Sequence, residues 1–211
     1  MPPILNPAPA WMPDRSDFVI LWHGCTANDK NNIQKGIDLD SCNPSADFGR
    51  GFYTTTVKRQ ARQWAWHRHY DWMLKNPQGT GNPPVILQFR VRRYSTRGSK
   101  KQPLKRGLDE LKSLSFVIGD YHNEDYWSLV QHCRQSNAQT ICDHKRPKDG
   151  WYDLVSGPVA AFWDQRVAMD DADQFSFHTD AGVEILDAVV ERGLQKGTSG
   201  DPDYYTWFPV P

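Results

Sequence analysis

The chain has no long hydrophobic run: its longest apolar stretch, Phe18-Val-Ile-Leu-Trp22, is five residues, against the roughly 20 that a membrane-crossing helix needs. The opening Met-Pro-Pro-Ile-Leu-Asn-Pro lacks the basic residues and apolar stretch of a secretory signal. The expectation is a soluble chain, cytoplasmic or secreted without a classical signal peptide. There is no net charge, 25 Lys and Arg standing against 25 Asp and Glu. No C-x-x-C pair joins Cys25, Cys42, Cys133 and Cys142, and Cys142-x-His144 falls short of a structural zinc site, so the thiols read as buried or incidental. His67 and His69, two apart, point to different faces of a helix and have no third ligand at a suitable spacing, which argues against a metal. Gly49-x-Gly51 lacks the third glycine of a dinucleotide fingerprint and precedes a strand, which excludes a Rossmann-type site. Aromatic residues are not scarce: at 12%, with nine Trp, they rule out an aromatic-poor disordered chain.

The 211 residues fit one domain, 17–211, behind a Pro-rich extended arm, 1–16. Neutrality conceals an uneven distribution: Arg90 to Arg106 holds eight basic residues and no acidic one, and the chain from Asp170 onward holds nine acidic and two basic. The basic segment is either a solvated loop or a meeting point for phosphates. A buried strand is expected over 18–22, ending at His23-Gly24, then a short helix over 28–36 closing at Gly36. The clearest helix runs Val57–Lys75, capped by Thr56, with Ala61, Trp64, Ala65, Arg68 and Trp72 on one face. Val85–Val91 alternates as a strand. Leu108–Ile118 and Glu124–Arg134 read as helices, Tyr152–Pro158 as a strand running into a turn, and Gln174–His178 as a short strand. A helix capped by Thr179 follows over Asp180–Glu191, with Gly193 as its stop. Strands at both ends with helices between them indicate an α+β fold.

Four segments share an order that carries chemistry: Leu21-Trp-His-Gly24, Asp47-Phe-Gly-Arg-Gly-Phe-Tyr-Thr-Thr55, Tyr152-Asp-Leu-Val-Ser-Gly-Pro-Val159 and Gln174-Phe-Ser-Phe-His-Thr179. The two glycines around Arg50 let backbone bend and approach a ligand. In this combination the chain resembles the ADP-ribosyltransferase superfamily, within a microbial branch that carries these motifs, over about residues 18–191. The resemblance implies a split β-sandwich with flanking helices, NAD as substrate and no metal.

It also implies roles. His23 would hydrogen-bond the ribose next to the nicotinamide, and the Gly24 backbone would pair with the carboxamide. Tyr53 would stack on the nicotinamide ring, with Phe48, Gly51 and Thr54 completing the NAD-binding block. Arg50 could reach the pyrophosphate or remain in solvent. Gln174 stands where many members carry a catalytic Glu, keeping the hydrogen bond but supplying only a dipole. That change argues against polymer synthesis and for mono-ADP-ribosyl transfer to a macromolecular acceptor, protein or nucleic acid. NAD hydrolysis and non-catalytic NAD or ADP-ribose binding are the alternatives. Either enzymatic activity would suit a toxin or effector with an inhibitor or delivery partner. His178 acts near the site or belongs to the turn, and Cys25, sharing a strand face with His23, could be a thiol nucleophile only with an orienting group that the sequence does not show.

Overall fold

The computed structural model describes residues 17–79, 81–96, 98, 105–116, 124–135, 152–194 and 204–210, so the Pro-rich arm, Cys142 and His144 lie outside the described residues. In chain order the elements are β1 (Phe18–Thr26), α1 (Ala27–Ile33), β2 (Phe52–Thr54), α2 (Lys58–Lys75), β3 (Pro84–Arg92), β4 (Ser113–Ser115), α3 (Glu124–Gln135), β5 (Leu154–Phe162), β6 (Val167–Phe177), α4 (Asp180–Leu194) and β7 (Tyr204–Pro209). Helices accompany mainly antiparallel sheets, the α+β class expected. The chain divides into two compact units, each drawing on separate stretches of sequence.

One unit comprises Ser16–Ile37, Thr54–Glu110 and Glu184–Pro211. Its sheet has the order β1-β3-β7, antiparallel throughout, with His23 opposite Leu87 and Gly24 opposite Ile86. The strand that starts with the apolar run 18–22 continues past Gly24 to Thr26, which closes it and opens α1 at once: its hydroxyl accepts from Asp29 N–H while Asp29 accepts from Thr26 N–H, a reciprocal cap. α2 crosses β1 at Gly24 and forms a small core of Trp22, Ala61, Ala65, Ile86 and Val210. Only the two alanines of α2 are buried; Trp64 is 54% exposed, its ring stacked on His67 at 5.2 Å, and Arg68 is exposed. The expected apolar stripe is therefore narrower than the spacing suggested, because small residues at the crossing bring the helix close and leave its rings outside. Thr56 is not the cap either. Val57 occupies that position without a side-chain bond, and Thr55 Oγ1 takes up Val57 N–H instead. The basic segment begins within the sheet, with Arg90 and Arg92 over the Phe18 ring at 3.7 and 4.8 Å; Arg97, Lys100 and Lys101 lie outside the described residues.

The other unit is built from Asp38–Tyr53 and Leu111–Val183. Its sheet has the order β2-β6-β5-β4, with β5 antiparallel to β6 and parallel to β4. Phe48, Phe116, Tyr126, Trp127, Val130, Val155 and Ala160 pack as its core. Two expectations fail here. Residues 108–116 are a short 3-10 turn, Leu108–Glu110, followed by β4 rather than one helix, and 117–118 lie outside the described residues: Leu108, Leu111 and Leu114 keep helical spacing, but Ser113–Ser115 gains parallel backbone bonds to Leu154–Ser156. Gly157-Pro158 does not end β5 in a turn; the strand runs through to Phe162 with a register shift at Pro158, where a bulge absorbs the missing N–H. Likewise β6 begins at Val167, seven residues before Gln174, and α4 passes Gly193 to Leu194.

Thr179 caps α4 as expected, accepting from Gly182 N–H at 3.2 Å and donating to Asp153 at 2.6 Å. Replacing it with Ala should lower stability by about 1 kcal/mol, a fall of about 2–4 °C in melting midpoint, read by differential scanning calorimetry; Thr179→Ser should restore most of it.

Candidate active site

His23 and Gly24 lie on β1. The His23 side chain shares a sheet face with Leu21 and Cys25 and is half-buried. Gly24 has two properties. A Cβ built on it would stand 2.0 Å from the Ala61 carbonyl oxygen and 2.8 Å from the Ala65 nitrogen, so only glycine lets α2 cross there. Its main chain is also directed outward. Trp22 exchanges both its N–H and C=O with Thr55, at 2.7 and 2.8 Å, on the side away from β3. Main-chain direction alternates with a period of two in an antiparallel pair, and β1 shows no register shift. Gly24, two residues on, therefore points its N–H and C=O off the same edge, beyond the end of the Thr55 bridge, where no described residue bonds to them. Gly24 is buried. A buried strand edge that presents one donor and one acceptor side by side, matched by no described residue, is complementary to a primary amide.

Cys25, next along, is buried, and desolvation, with Asp29 nearby, holds its thiol far above the usual range. Burial disfavours the thiolate that a nucleophile needs and gives the Cys25 alternative no support. Thr54, at the end of β2, is buried.

The Phe48–Tyr53 block forms a closed loop in the other unit. The Tyr53 hydroxyl accepts from Phe48 N–H at 2.9 Å and donates to the Gly49 carbonyl at 2.8 Å, so the phenol pins the turn whose residue 49 has φ of 81°. Desolvation holds that phenol well above its ordinary pKa. Gly51 allows contact with β6: a Cβ there would meet Ser176 Oγ at 2.3 Å and the Phe177 carbonyl at 2.9 Å. His178 Nδ1 donates to the Arg50 carbonyl at 2.7 Å and sets its ring edge-on to Tyr53, which places it in the turn. The Arg50 guanidinium donates to the Asp40 carbonyl, within its own loop. The Phe48 ring is wholly buried, stacked on Phe116 at 6.0 Å. Of the block, Phe48 is therefore core, Gly51 a close approach and Tyr53 the brace.

Gln174 lies in β6 and is 7% exposed. Its Nε2 donates to Asp47 Oδ2 at 2.7 Å and to the Pro158 carbonyl at 2.8 Å. Asp47, 2% exposed, also receives Arg134 Nε at 2.7 Å and Ala160 N–H at 2.9 Å. Asp47 and Arg134 had no role in the sequence reading. Asp47 opens the quoted motif and could have been weighed with it, whereas Arg134, 87 residues away, gives no local sign.

The structure thus brings Phe48, Arg50, Gly51, Tyr53 and His178 around one loop and joins Gln174 to Asp47 and Arg134, while His23, Gly24 and Thr54 belong to the other unit. Among the described residues no group of three or more His, Cys, Asp or Glu could hold a metal, and no helix is long and apolar enough to cross a membrane. A family model described as "Protein of unknown function (DUF3990)" matches residues 19–187. No curated protein and no solved structure matches the chain.

Proposed function

The chain belongs to the DUF3990 family, and we propose for it mono-ADP-ribosyl transfer from NAD to a macromolecular acceptor, on an ADP-ribosyltransferase-like split β-sandwich. The observation that carries the reading is the pair of outward main-chain groups at Gly24. They match the carboxamide of nicotinamide, N–H to its oxygen and C=O to its NH2, and the adjacent His23 is spaced to reach a sugar hydroxyl. Tyr53 supplies a flat ring, held by its own phenol bonds, against which a planar cation binds favourably.

Transfer breaks the bond between ribose C1′ and the nicotinamide nitrogen, and the electron pair leaves with neutral nicotinamide. The acceptor atom forms the new bond to C1′ and releases its proton to solvent. Positive charge develops on the sugar as the bond stretches. Gln174 favours that charge only as a dipole, through an oxygen, so most of the rate must come from orientation and from binding the leaving group.

Nicotinamide release from NAD by the purified chain is the direct test. His23→Ala should lower kcat/KM by about 100-fold, as for loss of one oriented hydrogen bond at the reacting centre. Tyr53→Ala should lower it about tenfold through the lost stacking. Full activity in both variants would sink the assignment. Labelled NAD offered with protein and with RNA or DNA identifies the acceptor. Equal release without any macromolecule would instead indicate NAD hydrolysis, and calorimetric binding without release would indicate a non-catalytic NAD domain.

A further inference from the structure

Asp47 is a buried carboxylate that receives donors from three described residues. Arg134 takes Oδ1, while Ala160 N–H and Gln174 Nε2 take Oδ2. The second proton of Gln174 Nε2 goes to the Pro158 carbonyl. Two acceptors 2.7 and 2.8 Å from one atom identify that atom as the amide nitrogen and exclude the flipped amide. Gln174 Oε1 is left on the other side. It bonds to no described residue.

We infer that Asp47 is a positioning residue, locking the Gln174 amide so that the chain presents only a hydrogen-bond acceptor there, matched to a ligand hydroxyl. The hydroxyl belongs to the nicotinamide-side ribose, at C2′, and that identity rests on the mono-ADP-ribosyl reading; the lock itself does not. The lock also accounts for Gln where related enzymes carry Glu. A carboxylate at 174 would set one oxygen against both the Asp47 carboxylate and the Pro158 carbonyl, three acceptors with no donor between them. Having a buried acid at 47, the chain requires an amide at 174.

Two measurements test this on the full chain. In calorimetry the wild type should bind NAD about tenfold more tightly than NAD lacking the nicotinamide-side 2′-hydroxyl, the value of one hydrogen bond. Asp47→Asn frees the 174 amide to turn either way, and this preference should fall to about twofold or less while the melting midpoint moves by only a few degrees. The second measurement is independent of NAD. In Gln174→Glu the introduced carboxyl, beside Asp47, keeps its proton in the folded state and releases it more readily when unfolded. Its folded pKa is raised, so stability is retained at low pH and lost as pH rises through that pKa. The melting midpoint of Gln174→Glu should fall by about 10 °C more than that of the wild type between pH 5 and pH 8. Combining it with Asp47→Asn should remove most of that extra fall. A preference retained in Asp47→Asn, or a Gln174→Glu melting curve that follows the wild type at every pH, overturns the inference. A wild type that binds no NAD removes the enzymatic reading instead, and the pH series then decides the lock alone.

Discussion

Gly24→Ala lowers the stability of the chain by about 3 kcal/mol or more, at or beyond the usual range for overpacking. The added methyl would sit 2.0 Å from a backbone oxygen and 2.8 Å from a backbone nitrogen of α2, neither of which can swing aside as a side chain does. Either α2 lifts off the sheet or β1 bends away from β3. Lifting α2 opens the core of Trp22, Ala61, Ala65, Ile86 and Val210; bending β1 breaks a pairing that runs without a shift from Phe18 to Thr26. Chemical unfolding followed by far-UV circular dichroism reads the loss, with a matched fall in NAD binding if the Gly24 edge is the amide site. Gly36→Ala is the contrast: nothing lies within 4 Å of its new methyl, and only its φ of 129° resists, so the loss should be about 1 kcal/mol. Equal losses at the two glycines would show that α2 does not depend on the crossing.

Arg134→Met should have an effect of similar size for an electrical reason. Asp47 is 2% exposed, and Arg134 supplies the only cation bonded to it among the described residues. Removing one partner of a buried ion pair typically costs 3–5 kcal/mol, because the remaining charge is stranded away from water. Ala160 N–H and Gln174 still donate to Asp47, and Arg134 is itself partly exposed, so the expectation is about 3 kcal/mol in urea unfolding. Arg134→Met combined with Asp47→Asn should be markedly less damaging than the sum of the single changes, because the stranded charge is gone. Strict additivity would mean that the pair contributes no coupling.

Several elements were legible in the sequence because one local signal decided each. β1 follows from an apolar run, β3 from alternation, and α4 from a Thr ahead of Asp180 that caps it. The errors arose where tertiary contacts outweighed local pattern. Leu108, Leu111 and Leu114 recur at helical steps, yet the ladder to β5 takes Ser113–Ser115 into a strand. In α2 the Trp residues matched a helical face, but the close approach at Gly24 gave the buried positions to Ala61 and Ala65. The motif residues 47–53 and 174–178 were visible as a set. Their bonding was not, because a carboxylate, a guanidinium and an amide at positions 47, 134 and 174 leave no trace of one another in a linear pattern.

The central place of β3 in its sheet has a kinetic consequence. Its partners are β1 on one side and β7 on the other, Phe18–Thr26 and Tyr204–Pro209. Both pairings close large loops, whose entropy is lost before any ladder bond repays it. Such non-local contacts place folding toward the slow, millisecond-to-second end of the range for small domains. Until β7 arrives, one whole edge of the apolar strand Val85–Val91 stands open, and that interval is when this chain is most prone to pair with another copy of itself.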